Sequence, residues 1–264
     1  MPALLTLTTD FGTADSYVAE MKGVLISRGP ADLRLVNLSH DIAAHNVREA
    51  ALFLRNAAPR FPAGTVHLVV VDPGVGSARA PIIARIGGQT LVGPDNGCFG
   101  FLYDGSEEVY AIDPERIGAP ESSATFHGRD VFAPAAALLA SGKAPAELGA
   151  RIDHYEHLPF PLVQLQGDAI DGVVLHIDRF GNLITNIPDH TLRAFLSDGE
   201  TDLVTTKVAA LRVRGLRNHY AEVEVGEPIA LIGSSGLLEV SMREKSAAAS
   251  SGAQLGDPVV VVRD

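Results

Sequence analysis

Residues 66–79 read Val-His-Leu-Val-Val-Val-Asp-Pro-Gly-Val-Gly-Ser-Ala-Arg. Val66 to Val71 is a continuous, largely β-branched run, the pattern of a strand covered on both faces rather than one. It stops at Asp72 and a glycine-containing turn. Upstream, Leu4 to Thr9 stops in the same way at Asp10-Phe11-Gly12. Between the two runs, Asp15 is positioned to cap a helix over Tyr17 to Ser27, which Gly29-Pro30 closes. Leu33 to Leu38 reads as a strand. Asn46 to Asn56 reads as a helix with Val47, Ala50, Ala51 and Leu54 on one face. Downstream, Asp130 opens a helix through Leu139 that ends at Ser141-Gly142. Strand and helix alternating in this rhythm predict an α/β domain over residues 1–158, with a mainly parallel sheet covered by helices.

The segment Leu158-Pro159-Phe160-Pro161 marks a boundary, and beyond it the pattern changes to short strands. Gly172–Asp178, Leu203–Val208, Glu222–Val225, Ile229–Ile232, Leu237–Ser241 and Val259–Arg263 are separated by turn residues such as Gly181-Asn182 and Gly256-Asp257-Pro258. This predicts a smaller all-β, barrel-like domain over residues 162–264, with Ser246 to Gly252 as a flexible loop.

Composition narrows the function classes. The formal net charge is −11 and Lys and Arg form no block, which argues against a nucleic-acid surface. Hydrophobic residues at 46% against 20% charged describe a globular chain. No apolar run approaches the ~18 residues of a membrane helix. Met1-Pro2-Ala3 leads straight into a strand without the basic start and apolar core of a signal peptide. A single cysteine, Cys98, allows no internal disulfide and points to a reducing compartment. The expectation is a soluble, cytoplasmic protein.

In parallel sheets, ligands sit at the carboxyl ends of strands, which directs attention to Asp10 and Asp72. Aspartate also favours turns and caps for purely structural reasons, but two at equivalent strand ends carry more weight than one. Gly74-Val75-Gly76 supplies two glycines of a dinucleotide fingerprint, yet Arg79 stands where the third belongs. The turn instead brings Arg79 back towards Asp72, and an arginine beside a carboxylate holds it ionised and oriented. His127 lies in Thr125-Phe126-His127-Gly128-Arg129-Asp130, just before a helix. His154 and His157 lack companions at metal-ligand spacing and read as surface residues. Gly233-Ser234-Ser235-Gly236 departs from a hydrolase nucleophile elbow. Asp178-Arg179-Phe180-Gly181-Asn182 places an acid, an aromatic and an amide within five positions. That set suits an amine, a flat ring and its hydrogen-bonding edge, or simply closes a polar turn. Gly233 to Glu239 offers N–H groups and hydroxyls suited to a carboxylate.

Taken together, Thr9-Asp10-Phe11-Gly12 with Asp15, Tyr17 and Met21-Lys22-Gly23, Asp72 to Ser77 with Arg79, Gly93-Pro94-Asp95-Asn96-Gly97, Phe126 to Asp130, Asp178 to Asn182 with Thr185-Asn186, and Ile232 to Gly236 resemble the S-adenosyl-L-methionine (SAM) hydroxide adenosyltransferases. These are relatives of the SAM-dependent fluorinating and chlorinating enzymes. The resemblance spans nearly the whole chain and implies an N-terminal α/β domain, a C-terminal β domain and a homotrimer with sites between neighbouring subunits. Halogenating members carry an aromatic residue at the position of Asp72 and lack the set Asp72, Arg79 and His127, so the water-using branch is the better match. The resemblance implies Asp72, Arg79 and His127 as the catalytic group. It places Asp10 on the ribose hydroxyls, Phe126 beside the substrate, Phe180 and Asn182 at adenine, and Asp178 at the methionine amine. Asp15 falls near the methionine portion, and Ser234 and Ser235 at its carboxylate with Glu239 nearby. Two positions depart from the family pattern: His45 stands where relatives carry an aromatic, and Arg243-Glu244-Lys245 replaces an Asn-Asn-Gly-like segment beside adenine.

The implied reaction is attack of water or hydroxide on ribose C5′, releasing adenosine and L-methionine. The leaving thioether is neutral, so neither a general acid nor a metal or other cofactor is required. Three alternatives stand beside it: a chlorinase-type enzyme on the same substrate, a non-catalytic adenosine- or SAM-binding protein, and a metal-dependent hydrolase using Asp10, Asp72 and His127.

Overall fold

A computed structural model describes residues 3–119, 121, 123–196 and 200–264, and the chain divides into two compact units, Met1–Pro159 and Phe160–Asp264. The first unit holds β1 (Leu4–Thr9), α1 (Tyr17–Arg28), β2 (Arg34–Ser39), α2 (Val47–Ala57), β3 (Val66–Val70), β4 (Pro81–Ile86), β5 (Gln89–Pro94), β6 (Glu108–Ile112), a π-helical turn (Gly128–Phe132), α3 (Ala133–Ala140), α4 (Pro145–Leu148) and β7 (Gly149–Ile152). The strands form one sheet in the order β2-β1-β3-β5-β4-β6-β7.

β3 is buried along its whole length, as its apolar run requires. Its side chains alternate between two cores. Val66, Leu68 and Val70 pack with Met21 and Leu25 of α1 and with Phe132. Val69 packs on the opposite side with Leu54 of α2, Ile82 and Phe99.

The sheet is mixed rather than mainly parallel. β1, β2, β3 and β5 run parallel, whereas β4, β6 and β7 pair antiparallel. The reason is local: Gly87-Gly88 joins β4 to β5, and so short a connection admits only an antiparallel return. Two helix starts also differ from expectation. Ser16, not Asp15, occupies the N-cap of α1, its hydroxyl donating to Glu20 Oε1 at 2.6 Å. Asp130 does not open the third helix but lies inside the π turn that starts at Gly128, and α3 follows from Ala133. α2 starts as read, with the Asn46 side chain accepting from Glu49 N at 3.0 Å.

The second unit comprises β8 (Gln164–Gln166), β9 (Ala169–Ile177), β10 (Leu183–Pro188), α5 (Asp189–Phe195), β11 (Val204–Val208), β12 (Leu211–Arg214), β13 (Pro228–Ile232), β14 (Leu237–Met242), α6 (Ala247–Ser251) and β15 (Pro258–Arg263). Its strands run β12-β11-β15-β9-β10-β14-β13 with β8 on β9, all antiparallel, wrapping a core of Ile170, Val174, Leu183, Leu238, Val240 and Val261. The sheet is barrel-like and nearly closed. Glu222–Val225 is not a strand: a 3₁₀ turn at Tyr220–Glu222 leads into an irregular segment. Ser246–Gly252 is not a loop but carries α6, capped by the Ser246 hydroxyl, which accepts from Ala249 N at 3.0 Å. Among the described residues no helix is long and apolar enough to cross a membrane.

His67 sits fully buried on β3, 2.8 Å from Thr6 Oγ1 through Nδ1, and burial pushes it down from 6.5 to about 4. A histidine buried neutral favours folding fully above the unfolded value, and that contribution is lost as pH falls from 6.5 towards 4. The full difference corresponds to about 3 kcal/mol. Urea unfolding from pH 7 to 4 should show the wild type losing stability more steeply than His67→Gln. Parallel pH dependences would contradict the assignment.

Candidate active site

β1 and β3 are parallel neighbours with Thr9 level with Val70, so Asp10 and Asp72 emerge from the same edge of the sheet. Asp72 begins the turn to Arg79, and that turn depends on Gly76. Its φ is +78°, and the Ala124 carbonyl lies 2.5 Å from where a Cβ would stand. Arg79 then reaches back as the sequence suggests. Its Nε donates to Asp72 Oδ1 at 2.9 Å, and its Nη2 donates to Asp72 Oδ2. The side chains are only 8% and 5% exposed, so the pair lies largely out of water. The guanidinium also stacks over Phe132, 5.1 Å from the ring centre. Asn96 of the Gly-Pro-Asp-Asn-Gly segment fixes the strand end, its Nδ2 donating to Val71 O at 2.9 Å.

His127 completes the group, with Nδ1 3.0 Å from Arg79 Nη2. A guanidinium has no acceptor, so Nδ1 accepts and the neutral ring carries its hydrogen on Nε2. Burial, and then the Arg79 charge, hold His127 below the usual histidine value. Arg79 Nη1 is buried and has no hydrogen-bond partner among the described residues. Asp72, Arg79 and His127 thus form one connected set in which one guanidinium nitrogen, Nη1, keeps both of its N–H donors spare. The Asp72 oxygens already face a cation, which argues against their serving as ligands of a metal-dependent hydrolase. Among the described residues no group of three or more His, Cys, Asp or Glu is arranged to hold a metal ion.

Asp10 Oδ2 accepts from His45 N at 2.8 Å, so His45 meets Asp10 through its backbone, at a φ of +66°. Phe126 packs edge-on against Phe11 and Tyr17, with centroids 5.8 and 5.3 Å away. These rings, with Glu20 and Arg129, line a cavity of about 390 Å³. Asp15 is exposed before α1. His154 and His157 are exposed, as expected for surface residues, and His157 stacks on Tyr155.

The second unit holds a larger cavity of about 930 Å³, whose lining includes Asp178, Phe180, Asn182, Ser234, Glu239 and Arg243. Asp178 Oδ1 accepts from the N–H groups of Phe180 and Asn182, both at 2.9 Å, and Oδ2 from Asn182 Nδ2 at 2.8 Å. The carboxylate therefore closes its own turn and orients the Asn182 amide, while the Phe180 ring stands 76% exposed. Ser234 is exposed and Ser235 half-buried in the turn between β13 and β14. Arg243 Nη1 donates to Val223 O at 2.8 Å. Sequence reasoning missed Tyr220, which lines the cavity and donates to Glu239 Oε1 at 2.6 Å. Its partner lies nineteen positions away on another element, and no local pattern marks the pairing.

Comparison with known proteins now bears on this geometry. The chain is 40% identical over 260 residues to the (R)-S-adenosyl-L-methionine hydrolase of Thermus thermophilus, covering 95% of this chain and 96% of that protein. A fluorinase of an Actinoplanes species is more distant, at 26% identity over 276 residues, covering 91% of this chain and 92% of that enzyme. The crystal structure of an uncharacterized conserved protein from Thermotoga maritima superposes with a TM-score of 0.88 at 30% identity, covering 98% of this chain and 100% of that one. Residues 5–149 match the model of the SAM hydroxide adenosyltransferase N-terminal domain and residues 172–260 that of the C-terminal domain, and the chain belongs to the SAM hydroxide adenosyltransferase family.

Proposed function

We propose that this protein hydrolyses SAM to adenosine and L-methionine, water attacking ribose C5′ in line with the C5′–S bond. The observation that carries the reading is the buried, hydrogen-bonded set Asp72–Arg79–His127 at the end of β3. The new bond joins the water oxygen to C5′, and the electrons of the C5′–S bond return to sulfur as a neutral thioether. The departing group needs no proton, so the reaction calls for no cofactor. The chemical difficulty is holding a weak nucleophile in line, and well-oriented intramolecular cases show that positioning contributes ~7–11 kcal/mol.

The hydrogen-bond pattern supports the following roles. Asp72 is the acceptor of the water proton, because Arg79 has no lone pair to offer and His127 Nδ1 is already engaged. Arg79 Nη1 is the donor available to the nucleophilic oxygen. His127, neutral and fixed by Arg79, presents Nε2–H. Asp72 offers an acceptor for a proton that water carries and a halide does not, and this favours hydrolysis over halogenation. The Thermus relative's name specifies the (R) sulfonium, and we extend that preference to this chain.

Substrate contacts follow the family resemblance. Asp10 takes the ribose hydroxyls, with Phe126 and Asp15 alongside. Phe180 and Asn182 receive adenine, Asp178 the amine, Ser234 and Ser235 the carboxylate, with Glu239 near it. The nucleophile set belongs to one unit of the chain and the larger cavity to the other. The active form in this reading is a cytoplasmic homotrimer whose sites draw on neighbouring subunits.

Incubation of the purified protein with (R)- and (S)-SAM, with and without chloride, tests the reaction by chromatography. The expected outcome is equimolar adenosine and methionine, faster from the (R) epimer and independent of chloride. Formation of 5′-chloro-5′-deoxyadenosine would support the halogenase reading instead, and stoichiometric binding without turnover a binding protein. Asp72→Asn should lower kcat by about 10²–10⁴-fold, the usual range for lost general-base help, while KM stays within a few-fold. Unchanged turnover would remove Asp72 from the mechanism.

A further inference from the structure

The wall of the larger cavity contains a carboxylate whose surroundings are more elaborate than packing alone requires. Glu239 is only 7% exposed on β14, between Leu231 of β13 and Ile184 of β10. Its Oε1 accepts two hydrogen bonds at 2.6 Å, from the Tyr220 phenol and from Ser241 Oγ. Oε2 receives no hydrogen bond from a described side chain and lies against Gly233, where a Cβ would approach it to 2.6 Å. Glycine at position 233 therefore leaves room for this oxygen beside the turn that lines the cavity.

A carboxylate with one saturated oxygen and one open oxygen is a receptor for a cation. Asp178, on the same cavity, already spends three acceptor positions on its own turn, of the roughly four that a carboxylate offers. An α-ammonium group carries three hydrogens and needs more acceptors than Asp178 has left. Burial, and then the hydrogen bond to Glu239, push the Tyr220 phenol well above its usual value, so it remains a donor throughout the neutral range. The Asp178 charge acts on the same phenol in the same direction.

We propose that Tyr220 is a positioning residue: with Ser241 it holds Glu239 so that Oε2 meets the substrate's α-ammonium group, and this arrangement sets the requirement for a substrate bearing an α-amino group. The proposal rests on the reading of this cavity as the SAM site. It moves Glu239 away from the methionine carboxylate, beside which a second negative charge would be repelled, and brings in a residue from a turn remote in sequence.

The test uses Tyr220→Phe and Glu239→Gln in the full-length protein, with SAM and an otherwise identical analogue lacking the amine. Both turnover and calorimetric affinity are read. Tyr220→Phe should raise KM and Kd for SAM about tenfold, with kcat within twofold, and leave affinity for the amine-free analogue unchanged. Glu239→Gln should act in the same direction and more strongly. Equal loss for both ligands would show a structural role and overturn the proposal, as would a wild-type preference for the amine retained in both variants. If the wild type binds SAM in this amine-dependent way yet releases no adenosine, the hydrolysis reading fails while the positioning role stands.

Discussion

A carboxylate and a guanidinium withdrawn together from water must satisfy each other, and the residues around the end of β3 are arranged to meet that requirement. Asp72 and Arg79 meet in a two-pronged pair with little solvent access. Removing one partner of such a pair strands the other's charge, at about 3–5 kcal/mol in comparable cases. The pair depends on the Gly76 backbone, on Asn96 holding the strand end, and on Phe132 beneath the guanidinium. Because Arg79 then spends Nη2 on His127 as well, the histidine tautomer and the free donor follow from the same arrangement. The pair is thereby attached to the end of a strand that is buried along its whole length.

The second unit solves a different problem. Its cavity is walled by turns together with β13 and β14, and its polar groups are hydrogen-bonded to one another. Asp178 orients Asn182, and Tyr220 orients Glu239. Preorganisation of this kind reduces the side-chain ordering that binding would otherwise cost.

What was legible in the sequence was whatever is encoded locally. The uniform apolar run of β3, its end at Asp72 and the return of Arg79 seven residues later belong to one short segment, and the hydrogen bonds match that reading. The Asn46 cap of α2 is likewise local. The antiparallel half of the first sheet carries a local signal, the Gly87-Gly88 pair between β4 and β5, which a reading by strand–helix rhythm passes over. The π turn at Gly128–Phe132 has no periodic signature. Ser246 to Gly252 looked like a loop from its small residues, yet one serine cap and alanine's helix propensity suffice for α6. Tyr220 pairs across elements, where no sequence spacing reveals it.

The central claim is that this architecture delivers a water oxygen to C5′ of the ribose. Turnover of SAM in ¹⁸O-labelled water, with mass spectrometry of both products, tests it most directly. Adenosine should carry one heavy oxygen, at the 5′-hydroxyl, and methionine none. Adenosine without the label, or label in methionine, would contradict it.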